Sequence, residues 1–478
     1  MSVLAIDQGT TSTRALIVTP DGGVTPLLNL PHRQIYPQGG WVEHDPAELV
    51  AALRACLAAA GRIGDLRAVG LANQGESCLA WDGATGDAIG PVIVWQDGRT
   101  LDVTEALRRD GAEALVMART GLPLDPYFSA AKLGWIMRNN PRAPELAAKG
   151  RLRLGTTDAY FRDVLTGRFE TDATTASRTS LMDLERGTWD PELCALFGVP
   201  IEALPRITPT TGDLGLLDCG SRQIPLTASV VDQQASLYGH GCRVAGDAKI
   251  TFGTGAFALV VTGARLQRPD GPLPTLAWAR GGEPATYALD GGVYAASAAV
   301  NWAQGLGLFG DLAEITHFET ESAIARGLAF VPALAGLACP HWDRRARGAW
   351  MGLALDTGPS DMMQALLEGV AFRMAEAIAA LAKCQPLRDP ISVDGGMIAN
   401  PWFCQFLCDT LGRDLLISDQ PELTALGTAA LAADGAGLPL QLPRSGRLLQ
   451  PRPQPAAWAA RFASAREAVQ RFGRAASA

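Results

Sequence analysis

Asp7 closes a short apolar run and is followed by Gln8, Gly9, Thr10, Thr11 and Ser12, small polar residues that leave backbone N–H groups and hydroxyls free to face a polyanion. Such a turn can hold a phosphate chain. A carboxylate at its lip can hold a hydrated Mg²⁺ against the same phosphates, because that ion prefers one or two carboxylates plus waters to a cage built by protein alone. The flanking runs, 3–6 and 14–18, are apolar, so the stretch reads as a β-hairpin. Taken alone it reads equally as a tight surface hairpin whose Asp and Thr satisfy local backbone groups. The design recurs at 249–261, where two apolar runs flank Gly253, Thr254 and Gly255. Two copies of one phosphate-facing hairpin imply two similar domains, 1–242 and 243–478, closing on a nucleotide from opposite sides with a hinge near Cys242.

Other chemistry-bearing residues follow the ends of apolar runs. The run 66–71 stops at Asn73-Gln74-Gly75-Glu76-Ser77, the run 91–94 at Trp95-Gln96-Asp97, and Val231 passes through Asp232 and Gln233 into a helical segment. Strands that stop at clustered polar and aromatic residues are expected where an α/β sheet meets its ligand cleft. Asp232 alone reads as a helix N-cap. The strand 391–393 ends at Asp394-Gly395-Gly396, and paired glycines let backbone approach a flat ligand, although a plain turn between strand and helix needs them as well.

The positioning elements are legible from spacing. Asp45 and Pro46 mark a helix start. Residues 295–306, 361–383 and 401–411 read as helices, the second strongly apolar on one face. A small-residue helix over 425–433 would pack closely against a neighbour, residues 171–180 read as loop, and the chain ends in an amphipathic helix over 456–472 after the Pro-rich 440–455.

Composition bounds the class. A chain of 478 residues is expected to form two or three domains, and 47% apolar with 19% charged residues is that of a globular protein. The net charge of −8 speaks against a general nucleic-acid or membrane-surface binder. Nine scattered cysteines lack zinc-site spacing and read as buried thiols of a reducing compartment. A strand begins at once and no apolar run approaches the ~18 residues of a membrane span, so a cytoplasmic protein is expected.

With these elements placed, the sequence resembles the FGGY carbohydrate kinases, and within them the glycerol kinase group, from residue 3 to about 438. Two long composite signatures carry the likeness, YFSAAKLGWIMRN at 127–139 and GAWMGLALDTGPSDMMQALLE at 348–368. DQGTTSTR at 7–14, VWQD at 94–97, DPYFS at 125–129, ASRT at 176–179, DQQA at 232–235, FGTG at 252–255 and DGGMIAN at 394–400 add to them. The resemblance implies an α/β fold of two ribonuclease-H-like domains, of the actin and hexokinase ATPase type, with a catalytic cleft between them. It implies transfer of the ATP γ-phosphoryl group to a hydroxyl of a small polyol or sugar. A polyol hydroxyl is a poor nucleophile, so a carboxylate must take its proton, and Asp232 matches the family's catalytic base. Asp7, with Asp232, would hold Mg²⁺, while Thr10, Thr11, Ser12 and Arg14 approach the phosphates and Gly253, Thr254 and Gly255 wrap their other side. Gly395, Gly396 and Asn400 match the adenine pocket, with Val300 and Asn301 nearby. The acceptor pocket maps onto Glu76, Trp95, Tyr127, Asp232, Gln233 and Phe257, although Trp95 and Phe257 read equally as core aromatics. Relatives often form dimers or tetramers, which implies a homo-oligomer.

The chain departs from the group at two positions. Gly75 stands where glycerol kinases usually carry Arg, and Gly98-Arg99 replaces a pair of arginines. Losing a guanidinium removes a charge-assisted donor and is expected to open volume for glycerol or a somewhat longer polyol such as erythritol. A ketopentose kinase of the same family is the alternative, and a non-catalytic actin- or chaperone-type ATP-binding protein the more distant one.

Overall fold

The computed structural model describes residues 1–442 and 444–475. Pro443 of the Pro-rich stretch and residues 476–478 of the second half lie outside the described residues. The run after Met1 forms β1 (Ser2–Gln8), paired antiparallel with β2 (Ser12–Val18), which pairs with β3 (Val24–Pro31). β4 (Leu66–Asn73) lies parallel to β1, and β6 (Gln223–Val231) parallel to β4, with β5 (Leu216–Asp218) at the edge. The order is β5-β6-β4-β1-β2-β3. Helix α1 (Pro46–Ala60) covers one face, its N-terminus capped as expected by Asp45, which accepts the Ala47 N–H at 2.9 Å.

A second sheet repeats the arrangement. β7 (Ala248–Phe252) and β8 (Ala256–Gly263) form the second hairpin, β9 (Leu273–Trp278) and β10 (Thr286–Val293) extend it on one side, and β11 (Ile391–Gly395), β12 (Leu415–Ser418) and β13 (Gly446–Leu449) on the other. The order β9-β10-β8-β7-β11-β12-β13 again places a hairpin and a third antiparallel strand on one side and parallel strands on the other. The echo between the two hairpins is therefore an echo between two whole sheets. α2 (Ser129–Asn139), α3 (Asp232–Gly239), α4 (Ser297–Gly305), α5 (Pro359–Cys384), α6 (Pro401–Leu411) and α7 (Leu423–Ala436) are the helices that matter for the site.

The structure sharpens two expectations. The first hairpin's strands run further into the polar segment, with Asp7 opposite Arg14 and Gln8 opposite Thr13, so that only residues 9–11 turn. Ladder pairing is a backbone property, and polar side chains at its end do not stop it. The segment 171–180 is loop only over its last four residues, a turn at 177–180. It holds a strand, Glu170–Asp172, and a short helix, Ala173–Ala176, all buried. Asp172 accepts the Thr174 and Thr175 N–H groups and hydroxyls, so this polar run satisfies itself and can enter the interior.

The small-residue helix expected over 425–433 is α7, and its neighbours come from the first half of the chain. It packs on α3, β1, β4 and β6, and one apolar core joins Val3, Ala68 and Val230 to Leu259, Val261 and Leu426. A Cβ on Gly427 would stand 1.8 Å from the Ala235 carbonyl oxygen, and one on Gly239 1.9 Å from that of Leu423. The two helices thus touch backbone to backbone where the sheets are joined. We expect Gly427→Ala to cost about 1–3 kcal/mol of stability, read as a fall in Tm, because the crossing can only widen. An unchanged melting curve would show that the crossing tolerates separation.

Candidate active site

β1, β4 and β6 are parallel, so their carboxyl ends leave the sheet at one edge, the position at which open α/β sheets bind ligands. That edge carries Asp7, the segment 73–77 and Asp232. The second sheet brings the 253–255 turn and Asp290 of β10 to the same place. Between them lies a cavity of about 170 Å³ lined by Glu76, Trp95, Tyr127, Asp232, Gln233 and Phe257 together with Thr10, Gly253, Thr254 and Gly255. All six residues assigned to the acceptor pocket from sequence meet in this one space. Trp95 and Phe257 face it instead of being sealed in a core.

Asp232 is the first residue of α3, not its cap. Val231 holds the N-cap position, and among the described residues the Asp232 carboxylate accepts only the adjacent Gln233 N–H, at 2.7 Å. Burial, then the negative charges of Asp7 and Glu76, push its carboxyl up to about 7, against the opposing pull of the Gln233 N–H and Lys249. Burial likewise raises Asp7 to about 6, with Arg14 opposing. Two buried carboxyls that repel each other, one near the end of β1 and one just after β6, make a hard-oxygen donor set suited to a partly hydrated Mg²⁺. Among the described residues no cluster of three or more His, Cys, Asp or Glu forms a protein-only cage, so further oxygens would come from phosphate and water.

Glu76 sits in the left-handed backbone region (φ 58°), which a non-glycine residue adopts only where its surroundings enforce it. The Ser129 hydroxyl donates to its carbonyl at 2.9 Å, and Arg178 Nε donates to its carboxylate at 2.6 Å. Arg178 also reaches Asp290 at 3.3 Å and so links the two sheets across the cavity wall. Trp95 donates its indole N–H to Thr10 Oγ1 at 3.0 Å and lies edge-on to Tyr127, with ring centroids 5.6 Å apart.

Sequence reasoning missed the residues that hold this wall. Lys132 of α2 is fully buried, and its ammonium donates to the carbonyls of Glu76 (3.4 Å), Trp95 (3.3 Å) and Tyr127 (2.7 Å). One cation therefore gathers three segments distant in sequence. A lysine amid Ala130, Ala131 and Leu133 was the available signal, since an unpaired buried lysine is rare. Arg178 stands in the ASRT motif at 176–179, from which no role was read, and Asp290 carried no local sign. Lys249, also fully buried, donates to Gln233 Oε1 at 2.7 Å and Thr251 Oγ1 at 2.8 Å, tying the second hairpin to α3.

The remaining sequence-assigned residues do not line the cavity. Thr11 is exposed at the turn, Ser12 opens β2, and Arg14 pairs with Glu422 at 3.2 Å. Ala296 and Ser297 donate backbone N–H groups to the carbonyls of Thr254 and Gly253, which fixes α4 against the second turn and sets Val300 and Asn301 one helical turn further on. Val300 is in the core, and Asn301 is exposed. Gly395 pairs with Phe252 beside that turn. Its φ of +98°, and a Phe252 carbonyl 2.2 Å from where a Cβ would be, both require glycine. Gly396 is exposed to open space. Asn400 caps α6 by accepting the Phe403 N–H at 3.0 Å and donates to the Ile315 carbonyl at 2.8 Å, so its amide is already engaged.

The departures at 75 and 98 resolve differently. Gly75 itself lines the acceptor cavity, but the direction a Cβ would take there is filled by Val231 Cγ2, 2.6 Å away. Arg99 is turned away from the cavity, bound to Asp97 and Glu43 and stacked 3.8 Å over Trp41. More space lies beside Gly98, which lines a larger adjoining cavity.

Two sheets of repeated topology, joined by crossing helices and facing each other over two Gly/Thr turns and a buried carboxylate, define an actin- and hexokinase-type ATP-dependent phosphotransferase. The FGGY family of carbohydrate kinases matches through its N-terminal domain over residues 2–239 and its C-terminal domain over 248–436. The chain belongs to that family and is an ATP-dependent carbohydrate kinase. It is 43% identical to the glycerol kinase of Alkalilimnicola ehrlichii over 449 residues, covering 91% of this chain and 90% of that one. It is 43% identical to the glycerol kinase of Thermus brockianus over 447 residues, with the same coverage. Among solved structures, Plasmodium falciparum glycerol kinase with ADP superposes with a TM-score of 0.89 at 28% identity, over 98% of each chain. No helix among the described residues is long and apolar enough to cross a membrane.

Proposed function

We propose that this kinase transfers the γ-phosphoryl group of ATP to a hydroxyl of glycerol or of a somewhat longer polyol such as erythritol. The observation that carries this reading is the convergence of Glu76, Trp95, Tyr127, Asp232, Gln233 and Phe257 with the 253–255 turn on one cavity. In it Asp232 accepts the proton of the attacking hydroxyl, as a carboxylate poised near neutrality can. Glu76, Tyr127 and Gln233 take the vicinal hydroxyls, and Trp95 and Phe257 pack the carbon chain. Thr10, Thr11, Ser12 and Arg14 receive the phosphates from one side and Gly253, Thr254 and Gly255 from the other. Gly395 and Gly396 take the adenine, with Val300 and Asn301 beside them and Asn400 holding the segment in place. Asp7 and Asp232 would hold Mg²⁺, which supplies neutralisation of phosphate charge when bound. The domains would divide near Cys242 into 1–242 with the acceptor and base and 243–478 with the nucleotide. Closure over both substrates would exclude competing water. A homo-oligomer in the cytoplasm completes the proposal.

The ketopentose alternative is less favoured, because the relatives at 43% identity are glycerol kinases. Coupled ADP-release assays on glycerol, erythritol, ribitol and xylulose test the choice. A polyol is expected to give the highest kcat/KM, and a clear preference for xylulose would overturn the reading. The same assay reads the base. With Asp232 held at about 7, its ionised form is lost on acidification, so kcat/KM should rise with pH through about 7. A profile flat from pH 5.5 to 8 would remove Asp232 from that role.

A further inference from the structure

The acceptor cavity does not end at Phe257. Trp95, Tyr127, Arg178, Thr254, Gly255, Phe257 and Asp290 also line a second cavity of about 670 Å³, so the two spaces share a wall of seven residues. The larger one lies on the side of Gly98, is walled by both halves of the molecule, and is far bigger than a polyol requires. Its size falls within the ~300–1,000 Å³ of pockets that enclose drug-sized ligands.

The chemistry of its wall differs from that of the acceptor pocket. Leu101, Phe128, Leu273, Tyr294, Leu334 and Trp342 are among the residues that line it. Several polar groups of that wall are committed elsewhere, although Arg178 Nη1 and Asp290 Oδ1, in the part shared with the acceptor cavity, have no hydrogen-bond partner among the described residues. Asp97 accepts the Val42 and Arg99 N–H groups, at 2.6 Å and 2.9 Å. Asp125 accepts the Tyr127 N–H at 2.9 Å and two Arg344 nitrogens at 3.1 Å each, a bidentate pair joining the two halves over the cavity. The Trp342 indole N–H goes to the Gly271 carbonyl at 2.6 Å, and Arg347 Nη1 to the Arg344 and Ala346 carbonyls. Beyond that shared part, a hydroxyl-rich chain would give up water hydrogen bonds for few replacements, whereas a hydrocarbon gives up none.

We propose that this cavity is an extension of the acceptor site that receives an apolar substituent, so that the enzyme phosphorylates polyols of glycerol type bearing an alkyl or aryl ether on one terminal oxygen. The proposal rests on the polyol kinase reading above. The free terminal hydroxyl lies at Asp232, its oxygen forms the new bond to phosphorus as the bond from the γ-phosphorus to the bridging oxygen of ADP breaks, and its proton passes to Asp232. The ether oxygen and its substituent leave through the neck between Trp95 and Phe257.

The test compares kcat/KM of the full chain, with ATP and Mg²⁺, on glycerol, 1-O-butylglycerol and 3-phenoxy-1,2-propanediol. Each methylene taken from water contributes about fourfold in affinity at most. We expect the ethers to exceed glycerol by about tenfold or more in kcat/KM, chiefly through KM. Ala335→Trp, at an exposed wall position, should fill the cavity, cancel that advantage and leave glycerol turnover unchanged. Leu101→Trp serves the same purpose from another exposed position should the first variant fail to fold. Glycerol turnover with no gain for either ether would overturn the proposal and leave the kinase reading standing. A gain that survives both filling variants would also overturn it, since the substituent would then lie elsewhere. Failure on glycerol, erythritol and both ethers would sink the polyol reading and this proposal together.

Discussion

Asp232→Asn is expected to lower phosphoryl transfer by roughly 10³-fold, the middle of the range for a general base, while ATP still binds. The substitution keeps the shape of the side chain and the Gln233 N–H can still donate to its oxygen, so the cavity survives and only the proton acceptor is lost. A second readout separates this from misfolding. Burial and the charges of Asp7 and Glu76 raise the native Asp232 carboxyl to about 7 from an ordinary 3.8, so its ionised form costs stability. For a carboxyl shifted upward the cost is absent below about 3.8, grows as pH rises, and is complete above about 7. Asp232→Asn should therefore melt at higher temperature than the parent at pH 8 and show little difference near pH 4, a stability gained at the expense of function. A variant with near-parent turnover would contradict the assignment of the base. One that is inactive and also less stable at pH 8 would contradict the electrostatic account of the site.

Lys132→Met should have the next largest effect, through the acceptor and not the nucleotide. The ammonium touches no cavity atom directly; it binds the backbone oxygens of Glu76, Trp95 and Tyr127. Methionine fills similar volume but leaves these buried oxygens without their donor, at about 1–3 kcal/mol for each group fully lost. The three segments then separate, and the left-handed backbone at Glu76 loses one of its restraints. We expect KM for the acceptor to rise at least about tenfold, with KM for ATP nearly unchanged, and Tm to fall. Lys132→Arg, which keeps the charge, should recover part of both. Equal losses for acceptor and ATP would mean that Lys132 supports the fold generally and does not shape the acceptor pocket.

The two residues differ in how visible they are before folding. Asp232 stands where an apolar strand gives way to a helix, and DQQA with its neighbours is a long enough pattern to assign a role through resemblance. Lys132 is inside a signature as well, yet its partners are backbone oxygens, and no side-chain pattern reports which carbonyls a folded chain leaves unpaired. Arg178 bridges Glu76 and Asp290, 102 and 112 residues away, so that contact exists only once both sheets are assembled. Gly75 shows the same limit from the other direction. Its sequence context implied free space, and it does line the cavity, but the place of its Cβ is taken by Val231, a neighbour only through sheet pairing.

The order of apolar runs, the two Gly/Thr turns and the capping residues determined the strands, the helices and the pairing of two alike halves, because periodicity and turn chemistry act over a few residues and are written locally. The same local rules placed Asp7, Glu76, Trp95, Asp232 and Gly395 at strand ends, and so at the cleft. Tertiary structure alone decided that α7 returns to cover the first sheet, that one buried lysine gathers the acceptor wall, and that the larger free volume lies beside Gly98. These are contacts between distant segments, fixed by how whole sheets pack and which polar atoms that packing leaves to be satisfied.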